Sequence, residues 1–139
     1  MAITIRALDD GVGVLEIGVG TVDGRQILQA QEGFLTDELK RSLRYWLTDF
    51  SGIEASRTTS EQVLELVESQ AEREAAMPDM CVAIVARLEV TFGMTRMWQL
   101  RMDARDTRWE TRVFRVRADA EDWLRQRMRE KHGLEVTFA

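Results

Sequence analysis

The sequence predicts an α/β fold on a mixed sheet, in the order β-β-α-β-α-β-α-β-α, an opening hairpin followed by parallel crossovers. Three observations carry that prediction. Two short β-branched stretches, ITIRAL and VGVLEIGV, stand either side of a DDG turn. Two later runs, LRYWLTDF and MCVAIVA, are apolar at nearly every position, as strands covered on both faces are. Segments with helical spacing alternate with these strand-like runs to the end of the chain.

The elements follow in order. ITIRAL-DDG-VGVLEIGV has the pattern of a β-hairpin. GTVDGRQILQAQEGFLTDELKRS reads as one helical segment. Asp23 and Gln26 have capping-box spacing, and Ile27, Leu28, Phe34, Leu35 and Leu39 share a stripe. LRYWLTDF is the next strand. The stretch TDFSGIEASRTTSEQVL, Thr48 to Leu64, then passes from strand through a Ser- and Thr-rich turn into an amphipathic helix. Thr58 and Glu61 stand at capping-box spacing there, and Val63, Leu64, Val67 and Ala71 recur with helical period. MCVAIVA is a central strand. TFGMTRMWQLRMDARD is a helix with Met94, Met97, Trp98 and Met102 on one side. ETRVFRV is a strand by its β-branched and aromatic content. ADAEDWLRQRMREKHG is a last helix, acidic at its start and basic at its end as the macrodipole favours, with Ala120, Trp123, Leu124 and Met128 as its buried stripe. GLEVTFA offers one more short strand.

The chain is 139 residues long, without repeat, linker or low-complexity tract, and reads as a single domain over 1–139. No run approaches the roughly 20 apolar residues that span a bilayer. MAITIRALDD turns acidic too early for a signal peptide, so the cytoplasm is the expected location. Cys81 is the one cysteine, which excludes an internal disulfide and any multi-cysteine metal site, and its setting in MCVAIVA is that of a small buried hydrophobe. His132 is the one histidine, just before a glycine, a position that suits a helix end. No GxSxG elbow and no catalytic constellation is visible, so no enzyme, metal or cofactor is expected.

The net charge of −5 weighs against nucleic acid as a partner, yet the charge is uneven. Residues 1–94 sum to −8 and residues 95–139 to +3, with arginines at 96, 101, 105, 108, 112, 115 and 117. Arg96 and Arg101 are candidate anion contacts for a phosphorylated ligand. Asp103, Asp106 and Glu110 among them give the alternative of a solvated, mixed-charge face.

The element order and four phrases, GTVDGRQILQ, WLTDFSGIE, FGMTRMWQ and VFRVRADAEDWL, resemble the STAS superfamily of sulfate-transporter and anti-sigma-factor-antagonist domains, in its SpoIIAA-like branch of small stand-alone bacterial proteins. In that branch a strand ending in Val-Phe precedes a helix with Ala and a Trp-Leu pair; here these are Val113-Phe114, Ala120 and Trp123-Leu124. The resemblance implies a non-enzymatic regulatory module that acts through a protein partner. Antagonists of the superfamily carry a phosphorylated serine, preceded by Asp, at the start of the helix after the second core strand. Counted from Asp49, that pair falls on Arg57-Thr58, so Arg stands for Asp and Thr for Ser. Thr58 is thus the first candidate phosphoacceptor, with Ser51, Thr59 and Ser60 behind it; helix capping is the alternative role.

The branch is also similar to CRAL-TRIO lipid carriers, which implies a second role, binding of a small hydrophobic ligand. The residues supply their own reason. Phe92, Met94, Met97, Trp98, Leu100 and Met102 cover more than one narrow stripe of their helix. Such a helix is deeply buried, packed in a homo-oligomer, or turned toward a ligand. Phe92, Met94, Met97, Trp98 and Met102 are the candidate ligand or partner surface.

Overall fold

The computed structural model describes residues 2–139, Val90 by its backbone alone. Strands β1 (Ile3–Leu8) and β2 (Gly13–Val22) pair antiparallel across a 3-10 turn at Asp9–Gly11. β3 (Tyr45–Ser56), β4 (Cys81–Val85) and β5 (Glu110–Phe114) then add in parallel, giving the spatial order β1-β2-β3-β4-β5. Helices α1 (Gly24–Phe34) and α2 (Asp37–Ser42) join β2 to β3, α3 (Ser60–Glu74) joins β3 to β4, and α4 (Glu89–Ala104) joins β4 to β5. Helix α5 (Arg117–His132) follows the last strand. The crossover helices α1, α3 and α4 lie on one face of the sheet, so the three crossovers share one hand. α5 and residues 133–139 cover the other face.

Period-2 alternation divides the central strands between these layers. Along β3, Trp46 and Thr48 point toward α1, α3 and α4, while Tyr45 and Leu47 point toward α5. All five residues of β4 are buried, Cys81 among them. The predicted mixed sheet, its hairpin and its alternation are all present.

Four local expectations are corrected. The segment after β2 is two helices, because Leu35 and Thr36 are extended and the Thr36 hydroxyl caps α2 by accepting from Leu39 N at 3.1 Å. β3 runs on to Ser56, well past Phe50, because Gly52–Ser56 pair with the far end of β2 across two register shifts. The cap of α3 is Thr59, whose hydroxyl accepts from Gln62 N while Gln62 Oε1 accepts from Thr59 N, both at 3.1 Å; Thr58 and Glu61 make no such box. Residues 133–139 form no strand. Instead Asp9 accepts from Thr137 N, Thr137 Oγ1 and Phe138 N at 3.0, 2.8 and 3.1 Å, which fixes the tail while Val136 and Phe138 bury beside α5.

Helix termini otherwise follow the sequence signals. The Asp23–Gln26 box caps α1, and Gly133, at φ 62°, ends α5 right after His132. Gly13 has a different task. A Cβ there would sit 1.8 Å from Tyr45 Cζ, so only glycine lets the Tyr45 ring cross β2 and donate its hydroxyl to Asp9 at 2.6 Å.

Candidate functional site

Between the sheet and α1, α3 and α4 lies a narrow cavity of about 80 Å³. Its floor is the sheet face that carries Glu16, Trp46, Thr48, Ile53, Val82 and Ile84. The roof comes from Ile27 and Gln31 of α1, Val63, Leu66, Gln70 and Arg73 of α3, and Thr91, Met94, Thr95 and Trp98 of α4. Met77 and Trp109 close one end, while half-exposed Phe50, Ser56 and Thr58 lie toward the other. The volume is room for several waters or for one slender group.

The lining is mostly apolar; its polar residues are a cluster at Glu16, Gln31, Thr48 and Arg73, the Ser56–Thr58 pair, and Gln70, Thr91 and Thr95, the Thr91 hydroxyl buried without a partner. Glu16 sits in β2 directly beside Thr48 of β3, in a strand buried on both faces, and is wholly inaccessible. Three side chains donate to its Oε1: Trp46 Nε1 at 2.9 Å, Gln31 Nε2 at 3.1 Å and Thr48 Oγ1 at 3.2 Å. Gln31 Nε2 also lies 3.4 Å from Oε2. Burial raises the Glu16 pKa, opposed by those donors and by the positive charge of Arg73. Arg73 Nη1 donates to Gln31 Oε1 at 3.0 Å, so an Arg73–Gln31–Glu16 relay links α3, α1 and β2. Burial in turn lowers the Arg73 pKa, while Glu32, Glu16 and Glu72 hold it up. Arg73 Nη2 is buried without a partner.

The three tryptophans at the cavity keep their indole N–H groups satisfied within the protein. Trp46 donates to Glu16, Trp98 to Gln70 Oε1, and Trp109 to Met77 O at 2.6 Å. Their apolar ring surfaces are what remains for a ligand. α4 is held over the cavity by Gln99, whose Nε2 donates to Thr111 O of β5 at 2.7 Å.

The candidate residues separate accordingly. Trp98 and Met94 line the cavity. Met102 is fully buried in the same core layer, and Met97 is half-buried against it. Phe92 lies off the cavity under the Arg115 guanidinium, 3.9 Å from its ring centre, and Leu100 is 59% exposed. Thr58 lines the cavity, its hydroxyl 3.0 Å from Ser56 Oγ, which donates to it. Thr59 and Ser60 are exposed at the start of α3, while Ser51 lies within β3 and donates to Asp49 Oδ1 at 2.5 Å. Arg96 and Arg101 are exposed on α4 and point about 140° apart at 100° per residue. Arg96 donates to Gln99 at 2.6 Å, so the two do not converge on one anion. Among the described residues no group of three or more His, Cys, Asp or Glu side chains is placed to hold a metal ion, and no helix is long and apolar enough to cross a membrane.

Glu16, Gln31, Trp46, Gln70, Arg73 and Trp109 are the functional candidates that sequence reasoning missed. Glu16 left a signal: it is the one charge inside VGVLEIGV, a run otherwise fit for the interior. Gln31 and Gln70 left none, because a glutamine on a helix is ordinarily a surface residue.

No family model and no curated protein sequence matches the chain. Among solved structures, it is similar to an uncharacterized protein from the DUF3478 family with a SpoIIAA-like fold, from Shewanella loihica PV-4. The two share 20% sequence identity over 88% of this chain and 92% of that one, with a TM-score of 0.51. The chain therefore has a SpoIIAA-like α/β fold, and carries within it an apolar cavity with a buried carboxylate at its floor.

Proposed function

We propose that the protein binds a small, slender, largely apolar molecule in the cavity beneath α3 and α4. The observation that carries this reading is the cavity itself, walled by Trp46, Trp98, Trp109, Met77 and Met94, with its two charged groups, Glu16 and Arg73, joined through Gln31. Mostly apolar walls with a few placed polar groups are the usual make-up of a small-molecule site. Native mass spectrometry of gently purified protein is expected to find a bound small molecule, and titration with n-hexane or 1-hexanol to shift the Trp46 and Trp98 indole signals in NMR spectra. Val82→Phe, which fills the floor, abolishes those shifts while circular dichroism stays that of the folded protein. Neither titrant moving an indole signal would sink the reading.

A regulatory, partner-binding role of the STAS kind is the second reading, supported by the position of Thr58 on the cavity wall at the approach to α3. A phosphate there would meet the positive end of that helix and crowd the cavity. Thr58→Glu is expected to weaken uptake of the hexane probe by several-fold with the fold intact. An unchanged affinity removes the link between this hydroxyl and the cavity.

A further inference from the structure

The polar end of the cavity has one spare acceptor and one spare donor. Glu16 Oε1 takes three donors, whereas Oε2 has only the Gln31 amide, at 3.4 Å. A carboxylate accepts about four hydrogen bonds, so Oε2 is open to another donor. Arg73 uses Nη1 on Gln31 Oε1, and its Nη2 is buried with no partner. Both side chains line the same cavity and lean on the same Gln31 amide.

Charge narrows the choice of occupant. The Trp46 indole and the Gln31 amide can only donate toward Glu16, and together with the Arg73 charge they favour its ionised form against the burial that disfavours it. Arg73 is a cation at any ordinary pH. Carboxylate and guanidinium together leave the polar end neutral, so an ionised head group finds no net counter-charge there.

Resting on the cavity reading above, we propose that the molecule taken up is a neutral alcohol, its apolar chain along Trp46, Trp98 and Met94 and its hydroxyl bridging Glu16 Oε2 and Arg73 Nη2. A hydroxyl donates and accepts at a single atom, which is what the two spare positions ask for. A carboxylate can accept from Arg73 but meets the Glu16 carboxylate with no proton to offer. An alkane leaves both groups unpaired, and sites built around a hydroxyl discriminate strongly against analogues that lack it.

The test compares 1-hexanol, hexanoate and n-hexane at pH 8, read by the Trp46 indole N–H signal in the full chain and in Glu16→Gln and Arg73→Met. In the wild type 1-hexanol binds at least about tenfold more tightly than either other probe, as expected for hydrogen bonds to charged groups. Both variants lose about tenfold for 1-hexanol and keep their hexane affinity. Glu16→Gln also gains hexanoate affinity, because Arg73 is no longer balanced. Hexanoate binding the wild type as tightly as 1-hexanol overturns the proposal, as does 1-hexanol binding no better than hexane; in both cases the cavity reading stands. If none of the three probes binds, that reading falls as well. Should either variant fail to fold, the ranking of the three probes on the wild type decides alone.

Discussion

Glu16 is the residue on which the site turns. A carboxylate in the middle of a strand buried on both faces is costly unless donors surround it, and here Trp46, Gln31 and Thr48 do. Glu16→Ala would leave those donors without an acceptor and is expected to cost at least ~3 kcal/mol, since each unpaired buried group costs about 1–3. The isosteric Glu16→Gln separates charge from shape. Because burial raises the folded pKa above the ordinary 4.5, the stability tied to this group is fully present below 4.5 and is lost as pH rises through the folded value. Thermal melts from pH 4.5 upward should show the wild type losing ground to Glu16→Gln as pH rises toward the raised pKa, and the gap ceasing to widen above it. Parallel curves throughout would mean that this carboxyl titrates as it does in the unfolded chain. Its single acidic letter within VGVLEIGV could have been read as a buried functional group; its partners could not, because Gln31 and Arg73 reach it only after α1 and α3 have docked on the sheet.

Among the elements, α3 decides the shape of the cavity, and its start is tied down by one glutamine. Gln62 Oε1 accepts from Thr59 N and from Gly24 N, both at 3.1 Å, so a single amide joins the beginnings of α3 and α1. Gly24 is needed for that approach, since a Cβ there would lie 2.7 Å from Gln62 Cβ. Thr59→Ala is expected to cost about 1 kcal/mol, a melting shift of about 4 °C for a chain of this size, and Thr58→Ala less. A larger loss at Thr58 than at Thr59 would return the cap to Thr58. Helical periodicity found α3 but not which of two adjacent threonines caps it, because Thr58–Glu61 and Thr59–Gln62 both satisfy the same four-residue pattern. The buried stripe differed in the same way. Leu66 and Gln70 turn inward with Val63 and Val67, while Leu64 stays 40% exposed, because the roof packs against α1 and α4 as well as the sheet. Strands were more legible than helix ends: MCVAIVA needs no partner to be recognised as interior, whereas a helix boundary depends on which hydroxyl reaches which N–H.

Across the whole molecule, the first hairpin turn and the last residues of the chain meet at one aspartate. Asp9, in the hairpin turn, accepts from Tyr45 across the sheet and from Thr137 and Phe138 of the tail, while its own N–H donates to Ala139 O at 2.7 Å. The tail then lays Val136 and Phe138 over the face opposite the cavity, where Phe138 meets the Tyr45 ring edge-on at 5.5 Å between centres. The DDG turn was legible in the sequence; its role as an anchor was not, because the contacts join residues 128 and 129 positions apart. Partial burial pushes the Asp9 pKa up, but the Tyr45 hydroxyl and the Thr137 and Phe138 donors outweigh it, and the net shift is downward. A lowered folded pKa contributes stability that is present above the ordinary 3.8 and is lost as pH falls through the folded value, the opposite sense to Glu16. Asp9→Asn should therefore melt below the wild type at pH 7, with amide hydrogen exchange quickened at Thr137 and Phe138. The gap between the two proteins should close as pH falls below the ordinary 3.8, where the unfolded carboxyl takes up its proton, toward the lowered folded value. Because the cavity lies on the other face of the sheet, hexane uptake at pH 7 should be the same in both. A gap that persists unchanged into acid would mean that the carboxylate charge is not what fastens the tail, and an altered hexane affinity would mean that the two faces of the sheet are coupled through the central strands.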